Sequence, residues 1–490
     1  MKPSHAPASR VLEEVPARTT LSVIGLGKLG ACTAACLAAR GFDVIGVDIN
    51  EDSVRAVNRG EMPVHEPQLQ EFITTAGPRL RATTQYADAI EASGITFVIV
   101  PTPVQPDGQF SDKYLAEALT HLAHAFRRTR KRYHLFVITS TVSPGTTDER
   151  LIPLIERVSG KALGRDFGVC YNPEFIALGS VIRDFLNPDM VLIGESDRRA
   201  GSELASIYRH VCQNEPLIAR MSVVSAEITK ISLNAYVTMK ISFANTLASI
   251  CEAIPGADLD RITEALGADR RISPHTLKGG LPFGGPCFPR DNRAFAAFAG
   301  RLGVDAELAK ASDEMNGDRA ERVADFVLHQ LSAGSRQSVS ILGLAYKANT
   351  PVVEESPAIQ IIQRLLKKRA GITVYDPLAL DGARAVFGDR ISYARSVKEC
   401  VAGSAVCVIT TQAEEFRCID QSYFSDTPAV VVDCWRILDS SKLGPCVKYI
   451  PMGMVPSPSA GGRTSPGPRT HLDSLQNPGG GVRVARRMAR

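Results

Sequence analysis

Short apolar runs alternate with helical stretches over two parts of the chain, and between those parts the runs disappear. Leu21–Gly25 (LSVIG) is an apolar run that breaks into GLGKLG. An alanine- and leucine-rich stretch, Ala31–Arg40, follows it, and then Phe42–Asp48 (FDVIGVD), a second run ending in an acid. Strand, glycine turn, helix and strand in that order open a parallel α/β sheet. Further buried-strand candidates are Thr96–Val100, His134–Thr139, Phe167–Cys170 and Met190–Ile193. A first domain is therefore expected over 19–215.

From Ser222 the strand signals stop, and Val224–Ile254 has helical periodicity with no proline before Pro255. A long central helix followed by shorter ones is expected over 216–330. Alternation returns with Val339–Leu342, a helix over Ala358–Lys368, Ile372–Asp376, Val406–Thr410 and Val430–Asp433. This predicts a second doubly wound domain over 331–454. Residues 1–18 are polar with three prolines, and 455–490 are rich in Pro, Gly, Ser and Arg; both read as disordered. The expected class is α/β, with two Rossmann-like domains joined by a long-helix region.

Composition narrows the function. The 490 residues are 44% hydrophobic and 22% charged, with a net charge of +4, which is ordinary for a globular protein. That balance gives no reason to expect nucleic acid or an anionic membrane as partner. No apolar stretch reaches the length of a membrane span, and the N-terminus lacks the apolar core of a signal peptide. The eleven cysteines are scattered and form no CxxC pair. Reduced thiols in the cytoplasm, with no disulfide framework and no metal site, are expected.

Four segments carry candidate chemistry. Gly25-x-Gly27-x-x-Gly30 follows a strand and opens a helix, which suits a pyrophosphate on the helix N-terminus. Asp48, at the end of the next strand, is placed to accept hydrogen bonds from a ribose and to repel a 2′-phosphate, favouring NAD over NADP. The alternative is a glycine turn used only for packing. Glycine and proline crowd around Cys287 in FGGPCFPRD (283–291), with Arg290 near enough to favour a thiolate. These residues alone fit a nucleophile and a buried structural cysteine equally well. Lys230 and Asn234 share one face of the central helix, and the apolar neighbours Ile228, Ile231, Leu233 and Tyr236 point to a half-buried lysine. Glu174 lies on a strand-exit loop (YNPEF), where an acid can work in a crevice or simply face solvent.

Taken together, the segments resemble the UDP-glucose/GDP-mannose dehydrogenase family over roughly residues 20–455. The matching motifs, in order, are GLGKLG, VPTP (Val100–Pro103), STVSPGTT (Ser140–Thr147), NPEF (172–175), Lys230 with Asn234, FGGPCFPRD, and GLAYK (343–347). The resemblance implies an NAD-binding domain, a central dimerisation region and a C-terminal nucleotide-sugar-binding domain. It implies a cofactor site at Gly25, Gly27, Lys28, Leu29, Gly30, Asp48, Thr102 and Thr141. It makes Cys287 the nucleophile, lines the reaction centre with Lys230, Asn234 and Asp291, and puts Glu174 and Thr141 beside a hydrolytic water. Substrate contacts are implied for Glu174, Phe175, Lys230, Asn234, Arg271 (reaching a neighbouring subunit's substrate), Lys278, Phe283, Gly284, Gly285 and Lys347.

The implied reaction is a four-electron oxidation of a nucleotide-sugar CH2OH to a carboxylate through a cysteine thiohemiacetal and thioester. A homodimer or larger homo-oligomer and a place in polysaccharide biosynthesis are implied with it. UDP-glucose is the first substrate expected; UDP-N-acetylmannosamine or another UDP-N-acetylhexosamine and GDP-mannose are alternatives. Three positions depart from the family pattern: Leu178 where a second acid is frequent, Glu354 where an arginine is usual, and Arg290 where a lysine is common. Two other readings compete: a single-step dehydrogenase of the β-hydroxyacid type, and a nucleotide-binding protein without catalysis.

Overall fold

The computed structural model describes residues 19–105, 107–332, 338–424 and 429–455. Residues 1–18 and all but the first of 455–490, both expected to be disordered, lie outside the described residues. The first sheet is built from β1 (Thr20–Ile24), β2 (Asp43–Val47), β3 (Leu80–Thr83), β4 (Ile95–Val98), β5 (His134–Ile138), β6 (Phe167–Tyr171), β7 (Met190–Glu195) and β8 (Leu217–Ser222). Its order is β3-β2-β1-β4-β5-β6-β7-β8. Pairing is parallel except between β6 and β7, which meet antiparallel. β4, β5 and β6 are buried throughout, as expected for strands covered by helices on both faces.

β8 extends the first sheet seven residues past the boundary expected at 215. Its sequence, LIARMS, has no apolar run because it is an edge strand with no fully buried residue.

The helices that matter for the site are α1 (Lys28–Ala39), α2 (Val181–Leu186), α3 (Arg198–Val211), α4 (Val223–Cys251), α5 (Phe288–Arg301) and α6 (Glu307–Ser332). Ser222 caps α4 by accepting from the Ser225 amide. α4 packs along α5 and α6 and touches β7, so it spans from the first sheet into the central region. The second sheet comprises β9 (Ser338–Leu342), β10 (Gly371–Tyr375), β11 (Ser392–Tyr393), β12 (Val406–Ile409), β13 (Ala429–Asp433) and β14 (Val447–Pro451). It is parallel throughout, in the order β11-β10-β9-β12-β13-β14. This is the strand order of a dinucleotide-binding fold, and the chain reverses direction across the sheet between β9 and β12.

The two halves repeat one local device. In the first, the Gly25 amide bonds to Val47 and Asp48 accepts from the Leu26 amide. In the second, the Gly343 amide bonds to Tyr375 and Asp376 accepts from the Leu344 amide. Each acid at the end of a strand thus holds the neighbouring glycine turn at the carboxyl edge of its sheet, where ligands of such sheets bind.

Candidate active site

The glycine turn after β1 fits a dinucleotide. Gly25 has φ +93°, and a Cβ there would lie 2.2 Å from the Ile99 carbonyl oxygen. Only glycine allows that turn. Gly30 packs on the Gly25 carbonyl, whereas Gly27 is exposed and faces open space. No side chain caps α1 and its first turn holds no acid, so the amides at Lys28 and Leu29 are presented to an anion. Asp48 accepts from Leu26 at 2.6 Å and from Asn50 at 2.8 Å. It therefore shapes the turn as well as standing where a ribose is expected. Thr102 is buried in the loop after β4, and Thr141 is half-buried in the loop after β5. Ser140 ties these two loops together, accepting from the Val100 amide at 2.9 Å and donating to the Val100 carbonyl at 2.7 Å.

The second cluster gathers around α4. Lys230 is buried, and its ammonium donates to the Glu174 carbonyl at 2.7 Å and lies 4.8 Å from the centre of the Phe175 ring. Desolvation lowers its pKa, opposed by Asp291 and Cys287. One turn on, Asn234 donates to Asp291 at 2.6 Å, and Arg290 donates to the other oxygen of Asp291 at 2.8 Å. Asp291 is fully buried, so both of its carboxylate oxygens have a partner.

Cys287 precedes α5 as its N-terminal flanking residue and is exposed, unlike most of the other cysteines. Desolvation by the surrounding cleft pushes its pKa up; Arg290 and Lys230 pull it back, and Asp291 adds to the rise. The net direction is upward. Arg290 thus acts in the direction expected from the sequence, favouring the thiolate, while desolvation, which the sequence could not show, acts more strongly the other way.

Glu174 presents its backbone, not its carboxyl, to Lys230. The carboxyl turns to α3, where Oε1 is 3.0 Å from the Tyr208 hydroxyl. Its pKa is pushed up to about 7 by desolvation, with Tyr208 and Lys230 acting the other way.

Several residues missed in the sequence build the loop before Cys287. Asn316 on α6 accepts from the Phe283 amide at 2.7 Å and donates to the Phe283 carbonyl at 2.9 Å. Asn245 on α4 bonds the Gly280 amide and the Leu281 carbonyl in the same two-sided way. A Cβ on Gly284 would lie 2.3 Å from the Glu355 carbonyl oxygen, so the loop lies directly against the C-terminal domain. Gly285 packs on Tyr346. Glu227, one turn before Lys230, is wholly buried and accepts from the Gly145 and Thr147 amides, fixing the STVSPGTT loop. An acid three residues before a lysine on a helix was visible in sequence, but its partners, some eighty residues away, were not.

Lys347 is half-buried; desolvation lowers its pKa, and Asp184 on α2 and Glu66 oppose the shift. It therefore faces the first domain across the cleft. Arg271 and Lys278 are exposed, and Arg271 is paired with Asp269 at 2.7 Å. Among the described residues, the side-chain partner of Arg271 is thus Asp269 and not a residue of the Cys287 cluster. Among the described residues, no group of His, Cys, Asp and Glu is arranged to hold a metal ion.

A dinucleotide turn on one sheet, a second Rossmann-like sheet, and a central helical region carrying a buried lysine and an exposed cysteine fit a dinucleotide-dependent oxidoreductase. The comparisons with known proteins specify which kind. Residues 19–212, 224–318 and 340–440 match, in turn, the NAD binding, central and UDP binding domains of the UDP-glucose/GDP-mannose dehydrogenase family. The chain is 37% identical to UDP-glucose 6-dehydrogenase AglM of Haloferax volcanii, covering 85% of this chain and 97% of that protein. It is 35% identical to a GDP-mannose 6-dehydrogenase of Pseudomonas syringae over 73% of this chain and 80% of that one. The solved UDP-glucose dehydrogenase of Pyrobaculum islandicum superposes with a TM-score of 0.81 at 32% identity, covering 92% of this chain and all of the other. The chain belongs to the UDP-glucose/GDP-mannose dehydrogenase family and is an NAD-dependent nucleotide-sugar dehydrogenase.

Proposed function

We propose that the enzyme oxidises UDP-glucose at C6 to UDP-glucuronate, holding the carbon on Cys287 between the two oxidations. The observation that carries this reading is an exposed thiol at a helix N-terminus, within the electrostatic reach of a buried lysine and beside a fully paired Asn234–Asp291–Arg290 cluster. AglM and the Pyrobaculum protein, whose names specify UDP-glucose, support the choice of sugar. GDP-mannose is the second reading, favoured by the 35%-identical Pseudomonas relative.

NAD, held by Gly25, Gly27, Lys28, Leu29, Gly30, Asp48, Thr102 and Thr141, supplies the hydride acceptor when bound. The protein's own groups do the rest. Lys230 takes the hydroxyl proton: its lowered pKa suits a base, whereas both oxygens of Asp291 are occupied. Lys230 and Asn234 then offer donors to oxygen as charge develops on it. The Cys287 sulfur bonds to the aldehyde carbon while its proton passes to the carbonyl oxygen, giving a thiohemiacetal. Loss of that hydroxyl proton to Lys230, once it has released the first, and of a hydride to a second NAD would leave the acyl group on the sulfur as a thioester. Glu174, assisted by Thr141, accepts a proton from the water that hydrolyses the thioester. The nucleotide sugar is held by Phe175, Lys278, the Phe283–Gly285 loop and Lys347, with Arg271 supplied from a second copy.

We assign that second copy to α4. Val224, Ile228, Tyr236, Phe243 and Ile250 are exposed and, at about 100° per residue, fall on one side of the helix. A homodimer buried on this face accounts for them. We place the enzyme in the cytoplasm, where its eleven free thiols stay reduced, and its uronate product in polysaccharide biosynthesis. No helix among the described residues is long and apolar enough to cross a membrane.

The test is NADH formation with UDP-glucose, UDP-N-acetylmannosamine and GDP-mannose. Two NADH per UDP-glucose, with kcat/KM at least tenfold above the others, is expected. One NADH per sugar, or preference for another nucleotide, would overturn the assignment.

A further inference from the structure

We propose that Tyr208 is a positioning residue that sets the proton state of Glu174 by sharing one hydroxyl proton between Glu174 and Asn172. The proposal rests on Glu174 acting in thioester hydrolysis as described above. Asn172 is buried after β6, and its Nδ2 donates to the Leu192 carbonyl at 2.9 Å. That bond fixes the amide, so Oδ1 faces the Tyr208 hydroxyl at 2.6 Å and can only accept. Glu174 Oε1 stands 3.0 Å from the same hydroxyl. Tyr208 is itself buried and packed on the Phe185 ring.

One proton therefore faces two acceptors. With Glu174 protonated, the acid donates to Tyr208, Tyr208 donates to Asn172, and every group is satisfied. With Glu174 ionised, Tyr208 must turn its proton to the carboxylate, and Asn172 Oδ1 loses its partner. The Asn172 amide thus pulls the network toward the protonated acid, and the tyrosine hydroxyl, by donating to the carboxylate, pulls it toward the ionised one. The other groups facing Glu174 are Lys230 on α4, whose charge favours the carboxylate, and two thiols kept protonated by burial: Cys36 on α1 and Cys212 after α3.

In hydrolysis the water oxygen bonds to the acyl carbon and one water proton passes to Glu174. The carbon–sulfur bond breaks, its electron pair leaves on Cys287, and the second water proton departs as the product acid ionises. As Glu174 gains its proton, Tyr208 swings its own back to Asn172, so proton uptake restores a fully bonded network.

The test is the pH dependence of acyl-enzyme hydrolysis in single turnovers of the full-length enzyme. Tyr208→Phe removes the one side-chain donor to Glu174 among the described residues and should move the rising limb up by about one unit. Asn172→Leu removes the competing acceptor and should move the limb down. KM for NAD and for the sugar should stay within about twofold, since neither residue is assigned to a ligand. Limbs unmoved, or moved in the same direction, overturn the proposal. If Tyr208→Phe does not fold, the downward shift in Asn172→Leu carries the test, because mere loss of structure does not lower the limb. Glu174→Gln separates the two levels. Hydrolysis at the wild-type rate in that variant defeats the role of Glu174 itself. A block there, with unmoved limbs in the other two, defeats only the proton sharing.

Discussion

Asn234 on α4 and Asp291 on α5 are joined by a 2.6 Å hydrogen bond from Nδ2 to Oδ2. This bond ties the central helix to the helix that begins beside Cys287, and so sets Lys230, one turn back on α4, relative to the thiol. Asn234→Ala leaves one oxygen of a fully buried carboxylate without a partner. A loss of about 1–3 kcal/mol in stability is expected, with kcat reduced more than KM. Denaturant unfolding and steady-state kinetics check both. A variant with wild-type kcat would remove the bond from the account.

Asp48 governs the cofactor. Asp48→Asn keeps an acceptor for the Leu26 amide but removes the charge. KM for NAD should rise about tenfold, the scale of one charge-assisted bond, and NADP should become a better competitor. Initial rates with each cofactor decide this.

Glu174 makes stability depend on pH with a defined sign. Its pKa is raised from an ordinary 4.5 to about 7. Its contribution is fully present below 4.5 and is lost as pH rises through 7, because ionisation is then easier in the unfolded chain. Glu174→Gln should therefore be more stable than the wild type at pH 8, by up to about 3 kcal/mol, with the gain vanishing by pH 4.5. Unfolding at both pH values measures it; a gain that grows toward low pH contradicts the burial.

The apolar face of α4 predicts a charge-sensitive dimer. Phe243 is 52% exposed in the single chain. Phe243→Glu should shift the enzyme to monomers in sedimentation velocity, because a carboxylate in the middle of a dry interface has no partner. Activity should fall with it if Arg271 works across subunits. An unchanged oligomer moves the interface elsewhere.

Sequence revealed most where function is local. GLGKLG with Asp48 needs only neighbouring residues to be recognisable, and the turn it forms is held by contacts within β1, α1 and β2. Lys230 and Asn234 were legible as a pair because helical spacing puts them on one face. Edge strands were not: β8 (LIARMS) and β14 (VKYIP) carry little burial and so show no apolar run. α6 was hidden by its charges, although Val323, Ala324, Val327 and Leu331 line the second domain's core. Tyr208, Asn245 and Asn316 were invisible for another reason. Each bonds a loop more than thirty residues away, and nothing in its own neighbourhood marks it. The direction of the Cys287 shift also needed the fold, because desolvation competes with a charge that sequence alone could count.

The most direct measurement is the mass of the Cys287 peptide after acid quench, in Glu174→Gln enzyme given NAD and UDP-glucose. An acyl adduct on Cys287 is predicted, absent in the Cys287→Ser variant, which forms no carboxylate. Full two-step turnover by Cys287→Ser, with no adduct on the thiol enzyme, would contradict covalent catalysis at this residue.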